Sequence, residues 1–181
     1  TKKIVKVYIQ LFCLGALTSL LFPPFFLLPL GFIIFPIFFY IITNFKNKSL
    51  IKSFTEGYIY ALGMNLCLFF WLKNPFLIEE STKKYFLLPY VIVFYLSIYF
   101  GLFSLTLRFF INKKLHIIVF PLLLVVFEII RSKLFLSFPW NLFGYILSDK
   151  TFFLENLKYI GTYGLSYLSI VLLLFPVPIY N

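Results

Sequence analysis

The sequence predicts an all-α fold, a polytopic membrane helix bundle of about six transmembrane helices. Hydrophobic residues make up 62% of the 181 residues, charged residues only 12%, and the mean hydropathy is +0.99. Soluble domains carry about 25% charged residues. The apolar residues also form long runs separated by short polar gaps, a pattern that is typical of membrane-spanning helices.

The positive charge of the chain indicates topology rather than nucleic-acid binding. The formal net charge is +10, but the lysines lie in short gaps between apolar runs, not on one face of a folded domain. If the N-terminus is cytoplasmic, the inner gaps hold nine of the 16 basic residues and no acid, whereas the outer gaps hold four of the six acids. The sequence therefore predicts a multi-pass protein with a cytoplasmic N-terminus.

The whole chain, residues 1–181, is predicted to form a single transmembrane domain whose helices are separated by polar gaps. The six predicted helices are the apolar runs at residues 7–22, 25–43, 54–72, 85–107, 115–130 and 157–175. Residues 131–150 lie between the last two and are interrupted by proline. We expect this segment to be interfacial, because it is too irregular to cross a bilayer.

The first two predicted helices form a short hairpin. The run from Val7 to Phe45 holds no charged residue and is too long to cross a bilayer core of about 30 Å only once. Pro23-Pro24 is the predicted turn, because two adjacent prolines remove two backbone donors and disfavour a helix before them. We expect Pro29 and Pro36 to kink the second helix, which must then pack against protein.

Glu128 is the costliest residue of the predicted fifth helix, and Arg131, three residues on, is its predicted partner. A carboxylate near the centre of a membrane helix costs about 2.5–3.5 kcal/mol, and less toward the helix ends. A spacing of three residues places both side chains on one helix face. We interpret them as a structural pair that orients the helix end, not as catalytic groups.

An aromatic segment broken by proline follows this pair and contains Phe138, Pro139, Trp140 and Tyr145. Trp and Tyr prefer the headgroup level of a membrane, so interface anchoring is the simplest role. Five aromatic residues within residues 135–145, beside two basic residues, favour a further role. We predict that this segment forms a lipid-facing or active-site-facing platform.

The remaining small or reactive side chains indicate packing rather than chemistry. Gly161, Tyr163, Gly164 and Ser166 predict a small-residue face that lets another helix approach closely. Cys13 and Cys67 lie within apolar runs, far in sequence from any general base, and are interpreted as small buried hydrophobes.

Neither a metal site nor a cofactor is predicted. His116 stands alone at a helix start, without cysteine or carboxylate at ligand spacing. Glu56 also lies near a predicted helix start, where a carboxylate suits the helix dipole.

In these residues the chain resembles the apolipoprotein N-acyltransferase family, bacterial inner-membrane enzymes that complete lipoprotein maturation. The order and spacing of the motifs carry the resemblance: Gly15 to Pro24, Gly57 to Trp71, Glu128-x-x-Arg131, Phe138-Pro139-Trp140, Gly144-Tyr145 and Gly161-x-Tyr163-Gly164-Leu165-Ser166. The match covers nearly all of this chain but only the N-terminal membrane portion of the family.

The resemblance implies a two-step acyl transfer. A cysteine thiolate takes an acyl chain from a membrane phospholipid and passes it to the N-terminal diacylglyceryl-cysteine of an apolipoprotein. In the family, this chemistry belongs to a Glu-Lys-Cys site in a nitrilase-like domain on the outer face of the inner membrane. The longest weakly polar gap of this sequence is far below domain size. We therefore expect a truncated chain that has no catalytic residue and is inactive alone.

Two other classes of protein suit six helices in a basic, aromatic-rich chain. One is the small-molecule-binding membrane subunit of a vitamin uptake transporter, but the intramembrane polar groups that such a site needs are sparse. The chain also has only two alanines for small-residue contacts with partner helices. The other is a structural assembly subunit without a ligand, which explains the segment from Phe138 to Tyr145 poorly.

Overall fold

The computed structural model describes residues 2–44, 48–110, 116–134 and 138–177. In these ranges the regular structure is helical and contains no strand, which confirms the predicted all-α fold. The α-helices are α1 (Lys2–Thr18), α2 (Leu28–Thr43), α3 (Leu50–Leu68), α4 (Asn74–Ile78), α5 (Leu88–Leu107), α6 (His116–Lys133) and α7 (Thr151–Leu174).

The N-terminal hairpin turns where the prolines predict it. α1 ends in a short 3-10 helix, Ser19–Leu21, and the following Pro23-Pro24 bond is cis. Because α2 begins only at Leu28, Pro29 lies in its first turn, where a missing N–H costs no helical hydrogen bond. Pro36 lies inside α2 and is buried, as expected for a proline that packs against protein.

α3 begins four residues before the predicted start. Ser49 caps it, because its side chain accepts a hydrogen bond from the Lys52 N–H at 3.2 Å. Glu56 therefore lies inside the helix and is buried, whereas we expected it near the helix start. At its other end α3 continues through the 3-10 helix Phe70–Lys73 into α4, with a bend of 56°.

The predicted interfacial segment, residues 131–150, is shorter in the structure. α6 continues to Lys133, three residues past its predicted end, and α7 begins at Thr151 rather than at residue 157. α7 is broken at Gly161, whose backbone angles (φ 67°, ψ 173°) are not helical.

The predicted count of six membrane crossings is not confirmed. Among the described residues, three helical stretches are long and apolar enough to cross a membrane: Ile4–Leu21, Lys83–Phe110 and Leu157–Leu174. The bent pair Leu50–Leu68 and Phe70–Ile78 makes a fourth if it is one span. α2 is apolar but has only 16 residues, and the last two turns of α6 carry three charged residues.

α3 lies between α1 and α5, and glycines bring the three backbones together. A Cβ atom on Gly15 would lie 1.8 Å from the Tyr60 carbonyl oxygen, and one on Gly63 would lie 2.2 Å from the Phe12 oxygen. On the α5 side, a Cβ on Gly57 would lie 2.3 Å from the Phe100 oxygen. Small residues drive helix association in lipid because they allow such close van der Waals contact.

We expected the glycines of α7 to admit another helix, but no other helix of the described residues approaches them closely. A Cβ on Gly161 would meet no atom of the described residues within 4 Å, and one on Gly164 would touch only Ile160 of the same helix. The close approach to α7 comes from Gly144, whose Cβ would lie 2.9 Å from the Thr162 oxygen.

We predict that Gly15→Ala lowers the thermal stability of the detergent-solubilised protein, because the new methyl group overlaps the Tyr60 carbonyl and pushes α1 away from α3. Overpacking of this kind costs about 1–3 kcal/mol. Gly164→Ala is the matched control, since its methyl group would meet only Ile160 of the same helix and no neighbouring backbone, and alanine favours a helix. Thermal unfolding of the two variants checks this, and a Gly15→Ala protein as stable as the wild type would contradict the packing.

Candidate functional site

The candidate site is built on residues 138–150, which join α6 to α7 and which we call the anchored loop. This loop contains the short 3-10 helix Phe143–Leu147. The first N–H groups of any helix have no partner within the helix and need acceptors from elsewhere. In this loop the acceptors come from α6 and α7.

Glu128 of α6 binds the start of this 3-10 helix. Its Oε1 accepts a hydrogen bond from the Phe143 N–H at 2.7 Å. The side chain is only 3% exposed, and Oε2 has no hydrogen-bond partner among the described residues. The carboxylate that we predicted to be structural therefore acts as a cap on the anchored loop.

Ser166 of α7 performs the same function for the next residue. Its Oγ accepts a hydrogen bond from the Gly144 N–H at 2.9 Å, and the side chain is fully buried. Glycine at position 144 allows this bond, because a Cβ there would lie 3.1 Å from the Ser166 nitrogen. Ser166, which we expected to contribute to helix packing, thus ties the anchored loop to α7.

Arg131 holds the part of the loop that precedes the 3-10 helix. Its Nη2 donates to the Trp140 oxygen at 2.9 Å and to the Asn141 oxygen at 3.3 Å. Asn141 has a φ of 58°, a left-handed conformation that asparagine tolerates better than most residues. The guanidinium is 2% exposed, and its Nε and Nη1 have no hydrogen-bond partner among the described residues.

Glu128 and Arg131 share one face of α6, as their spacing predicts, but they do not form a salt bridge. Among the ion pairs of the described residues, none joins them. Each binds the backbone of the anchored loop instead, the carboxylate an N–H and the guanidinium two carbonyls. Their mutual attraction remains, which lowers the cost of burying both charges.

The aromatic residues of the loop divide into buried anchors and exposed rings. The Phe143 ring is buried and lies 5.6 Å from Phe22, 5.2 Å from Phe35 and 6.3 Å from Phe100, so it packs against the proline turn, α2 and α5. Phe138 packs edge-on against Phe69 at 5.2 Å. Pro139 and Trp140 are exposed, and Tyr145 is partly buried. Phe135, another member of the predicted cluster, lies outside the described residues.

A cavity of about 540 Å³ lies between the anchored loop, the proline turn after α1 and the end of α3. Its walls include Pro24, Cys67, Trp71, Trp140 and Tyr145. The predicted platform residues Trp140 and Tyr145 therefore meet there, whereas Phe138 and Pro139 are not among the lining residues. Asn141 also lines the cavity, and its buried Nδ2 has no hydrogen-bond partner among the described residues.

This arrangement can hold an apolar group but offers no set of groups for acid-base or nucleophilic chemistry. None of the described residues that line the cavity is acidic, basic or a histidine. Cys67 reaches it as an exposed thiol without a neighbouring group that would activate it. Cys13 is exposed on α1, so neither cysteine is the buried hydrophobe that we expected. The described residues contain no cluster of metal ligands.

Sequence reasoning missed two members of this site. Asn141 stood beside the predicted Phe-Pro-Trp motif, and its polar side chain after an apolar helix was the available signal. Trp71 was named only as the end of a sequence motif. Its place in the cavity depends on the bend after α3, which hydropathy does not predict.

We predict that Glu128→Ala reduces the amount of folded protein in membranes more strongly than Glu128→Gln. Alanine leaves the buried Phe143 N–H without an acceptor, a loss of about 1–3 kcal/mol, and leaves Arg131 without a nearby negative charge. Glutamine keeps an acceptor oxygen. Fluorescence-detected size-exclusion chromatography measures the folded fraction, with Glu155→Ala on the exposed part of α7 as the control. Equal yields of Glu128→Ala and the control would contradict the capping role.

Comparison with known proteins agrees with these motifs. A family model described as "Apolipoprotein N-acyltransferase N-terminal domain" matches residues 14–174. The apolipoprotein N-acyltransferase of Rickettsia typhi is 31% identical over 183 residues, which cover 97% of this chain and 35% of that protein. The enzyme of the same name from Rhodopseudomonas palustris is 30% identical and covers 90% of this chain and 31% of that protein.

A third relative gives a similar result. The apolipoprotein N-acyltransferase of Wigglesworthia glossinidia brevipalpis is 29% identical, covering 93% of this chain and 34% of its own length. The chain thus spans about a third of the length of the curated relatives that it matches. With its apolar helices and the matched N-terminal domain, this chain belongs to the apolipoprotein N-acyltransferase family of bacterial membrane proteins.

Proposed function

We propose that this chain is the membrane-embedded part of an apolipoprotein N-acyltransferase and that its cavity receives an acyl chain of the donor phospholipid. The whole enzyme would transfer that acyl chain to the N-terminal diacylglyceryl-cysteine of a lipoprotein. The Glu-Lys-Cys chemistry would belong to a nitrilase-like domain of the longer family members. The helices and the anchored loop of this chain would supply the platform beneath that domain.

The observation that carries this proposal is the cavity beside the anchored loop. Its volume of about 540 Å³ falls within the range of about 300–1,000 Å³ that small-molecule sites occupy. Its walls are mostly apolar, and it opens where irregular backbone, not a continuous helix, forms the surface. Irregular backbone at membrane depth is tolerated only where it is buried in protein or lines a cavity.

The polar groups at the cavity would orient a lipid rather than react with it. The cavity is lined by the Asn141 amide, the Ser19 hydroxyl and the Tyr145 phenol. Trp140, with 56% of its surface exposed, presents an apolar ring with a polar N–H. Such groups suit the ester region of a phospholipid, with the acyl chain against the apolar wall.

The distribution of charge supports a cytoplasmic N-terminus if the chain makes the six crossings that the sequence predicts. The inner gaps then hold basic residues without acids, as the positive-inside rule requires. The anchored loop would then lie at the outer leaflet, on the side where the lipoprotein substrate arrives.

The transporter-subunit alternative has less support. The family match favours an acyltransferase. Among the described residues, no charged side chain lines the cavity, whereas a transporter needs such groups to bind a polar vitamin within the membrane.

Photo-crosslinking tests the proposed lipid slot. The purified protein in detergent would receive a substoichiometric phospholipid with a diazirine at the end of one acyl chain, so that detergent covers the outer surface. We predict that crosslinks concentrate on peptides containing Cys67, Trp71 and Trp140. Cys67→Trp should reduce crosslinking there several-fold, because the larger side chain fills the cavity.

The two cysteines provide a matched control. Cys13 is also an exposed cysteine in an apolar helix but does not line the cavity, so Cys13→Trp should leave the crosslinks unchanged. Crosslinks spread evenly over the outward faces of the helices, or an equal effect of the two substitutions, would contradict the slot.

A further inference from the structure

A second, polar cavity lies at the other end of the helix bundle. It occupies about 340 Å³ between the first turns of α1, the end of α2 and the first turns of α3. One wall is apolar and consists of Ile4, Val7 and Ile41. The other wall is polar and contains Asn44, Lys48, Lys52 and Glu56.

A buried ion pair forms the floor of this cavity. The Lys48 ammonium lies 2.6 Å from Glu56 Oε2 and donates a second hydrogen bond, also 2.6 Å long, to the Ile41 oxygen. The Lys48 and Glu56 side chains are only 8% and 1% exposed. The other carboxylate oxygen of Glu56, Oε1, has no hydrogen-bond partner among the described residues. A buried charged oxygen without a donor is costly, so a ligand that supplies an N–H or O–H would be favoured.

Positive charge exceeds negative charge around this floor. Lys52 lines the cavity one turn after Lys48, is partly exposed and takes part in no ion pair of the described residues. Arg108, which directly follows α5, donates to the Lys48 carbonyl. Burial lowers the pKa of the Lys48 ammonium below its usual value, although the hydrogen bond to Glu56 opposes this effect. An added anion would therefore be favourable beside Lys48 and Lys52.

A ligand that complements this cavity therefore has an anionic group to bind the lysines, a hydrogen-bond donor for Glu56 Oε1, and an apolar part to contact the apolar wall. The cavity lies at the start of α1, the end of α2 and the start of α3, where we expect lipid headgroups because apolar helices end there in polar residues. Basic pockets between membrane helices bind lipid headgroups in this way.

We propose that this cavity binds the phosphoethanolamine headgroup of a membrane lipid, with its phosphate on Lys52 and its ammonium on Glu56 Oε1. The apolar wall then contacts the glycerol backbone and the first part of an acyl chain. This lipid would be a resident of the opposite leaflet from the proposed acyl donor, and the inference does not depend on the acyltransferase function.

Native mass spectrometry of the purified protein tests the ligand chemistry. The probes would be phosphatidylethanolamine, phosphatidylcholine, phosphatidylglycerol and free phosphoethanolamine, at equal concentrations. Phosphatidylcholine has the same charges but no N–H, so we expect it to bind at least roughly tenfold more weakly than phosphatidylethanolamine, as the loss of a hydrogen bond to a charged group implies. Free phosphoethanolamine should also bind more weakly, because it lacks the apolar part.

Variants locate the site. Lys52→Ala should reduce retention of phosphatidylethanolamine about tenfold, the loss expected for one charged contact. Lys6→Ala is the matched control, an exposed lysine at the same end of the bundle that does not line the cavity, and it should leave retention unchanged. Glu56→Gln should reduce the preference over phosphatidylcholine. Lys52→Ala tests the site even if Glu56→Gln, which alters a buried side chain, lowers the yield.

Each outcome of these experiments either supports or overturns the proposal. A phosphatidylethanolamine preference that Lys52→Ala removes and Lys6→Ala preserves supports the proposal. Equal binding of phosphatidylcholine or phosphatidylglycerol, or equal losses in the two lysine variants, overturns it. Free phosphoethanolamine that binds as tightly as the lipid would assign the cavity to a soluble ester and overturn the lipid assignment.

Discussion

Within a membrane protein, backbone N–H groups that have no partner in their own helix need acceptors from other residues, because no water is available to bind them. Phe143 and Gly144 meet this constraint through Glu128 on α6 and Ser166 on α7. These two bonds hold the 3-10 helix of the anchored loop between the two long helices. They also seat the Phe143 ring in the aromatic core, from which the rest of the loop extends.

The cavity depends on this arrangement. Arg131 fixes the carbonyls of Trp140 and Asn141, so the loop passes close to the proline turn and the bend after α3 without closing onto them. The space that remains is lined by irregular backbone and aromatic rings. Such a site can hold an apolar chain but, among the described residues, has no groups for catalysis. We therefore propose that this part of the enzyme binds the lipid and that catalytic groups elsewhere carry out the reaction.

The helix class and the turn at Pro23-Pro24 follow from hydropathy and proline chemistry, and the structure agrees with both. The motif from Glu128 to Ser166 also identified the family before any comparison. The hydrogen-bond partners of Glu128 and Arg131 could not be predicted from the sequence. Helix spacing predicts which side chains share a face, but not which backbone atoms of the loop lie within hydrogen-bond distance of them. The contacts of Gly15 and Gly63 were equally out of reach, since they depend on how two distant helices cross. For the same reason the number of membrane crossings cannot be read from apolar runs alone when helices bend or end in charges.

Hydrogen–deuterium exchange at Phe143 and Gly144 tests the central claim, that side chains of α6 and α7 cap the anchored loop. Both amides should exchange slowly in the wild-type protein. Ser166→Ala should accelerate exchange at Gly144 at least several-fold, as expected from the loss of about 1 kcal/mol, and should affect Phe143 less. Exchange of both amides at the rate of an unstructured peptide in the wild type, or no change at Gly144 in the variant, would contradict the account.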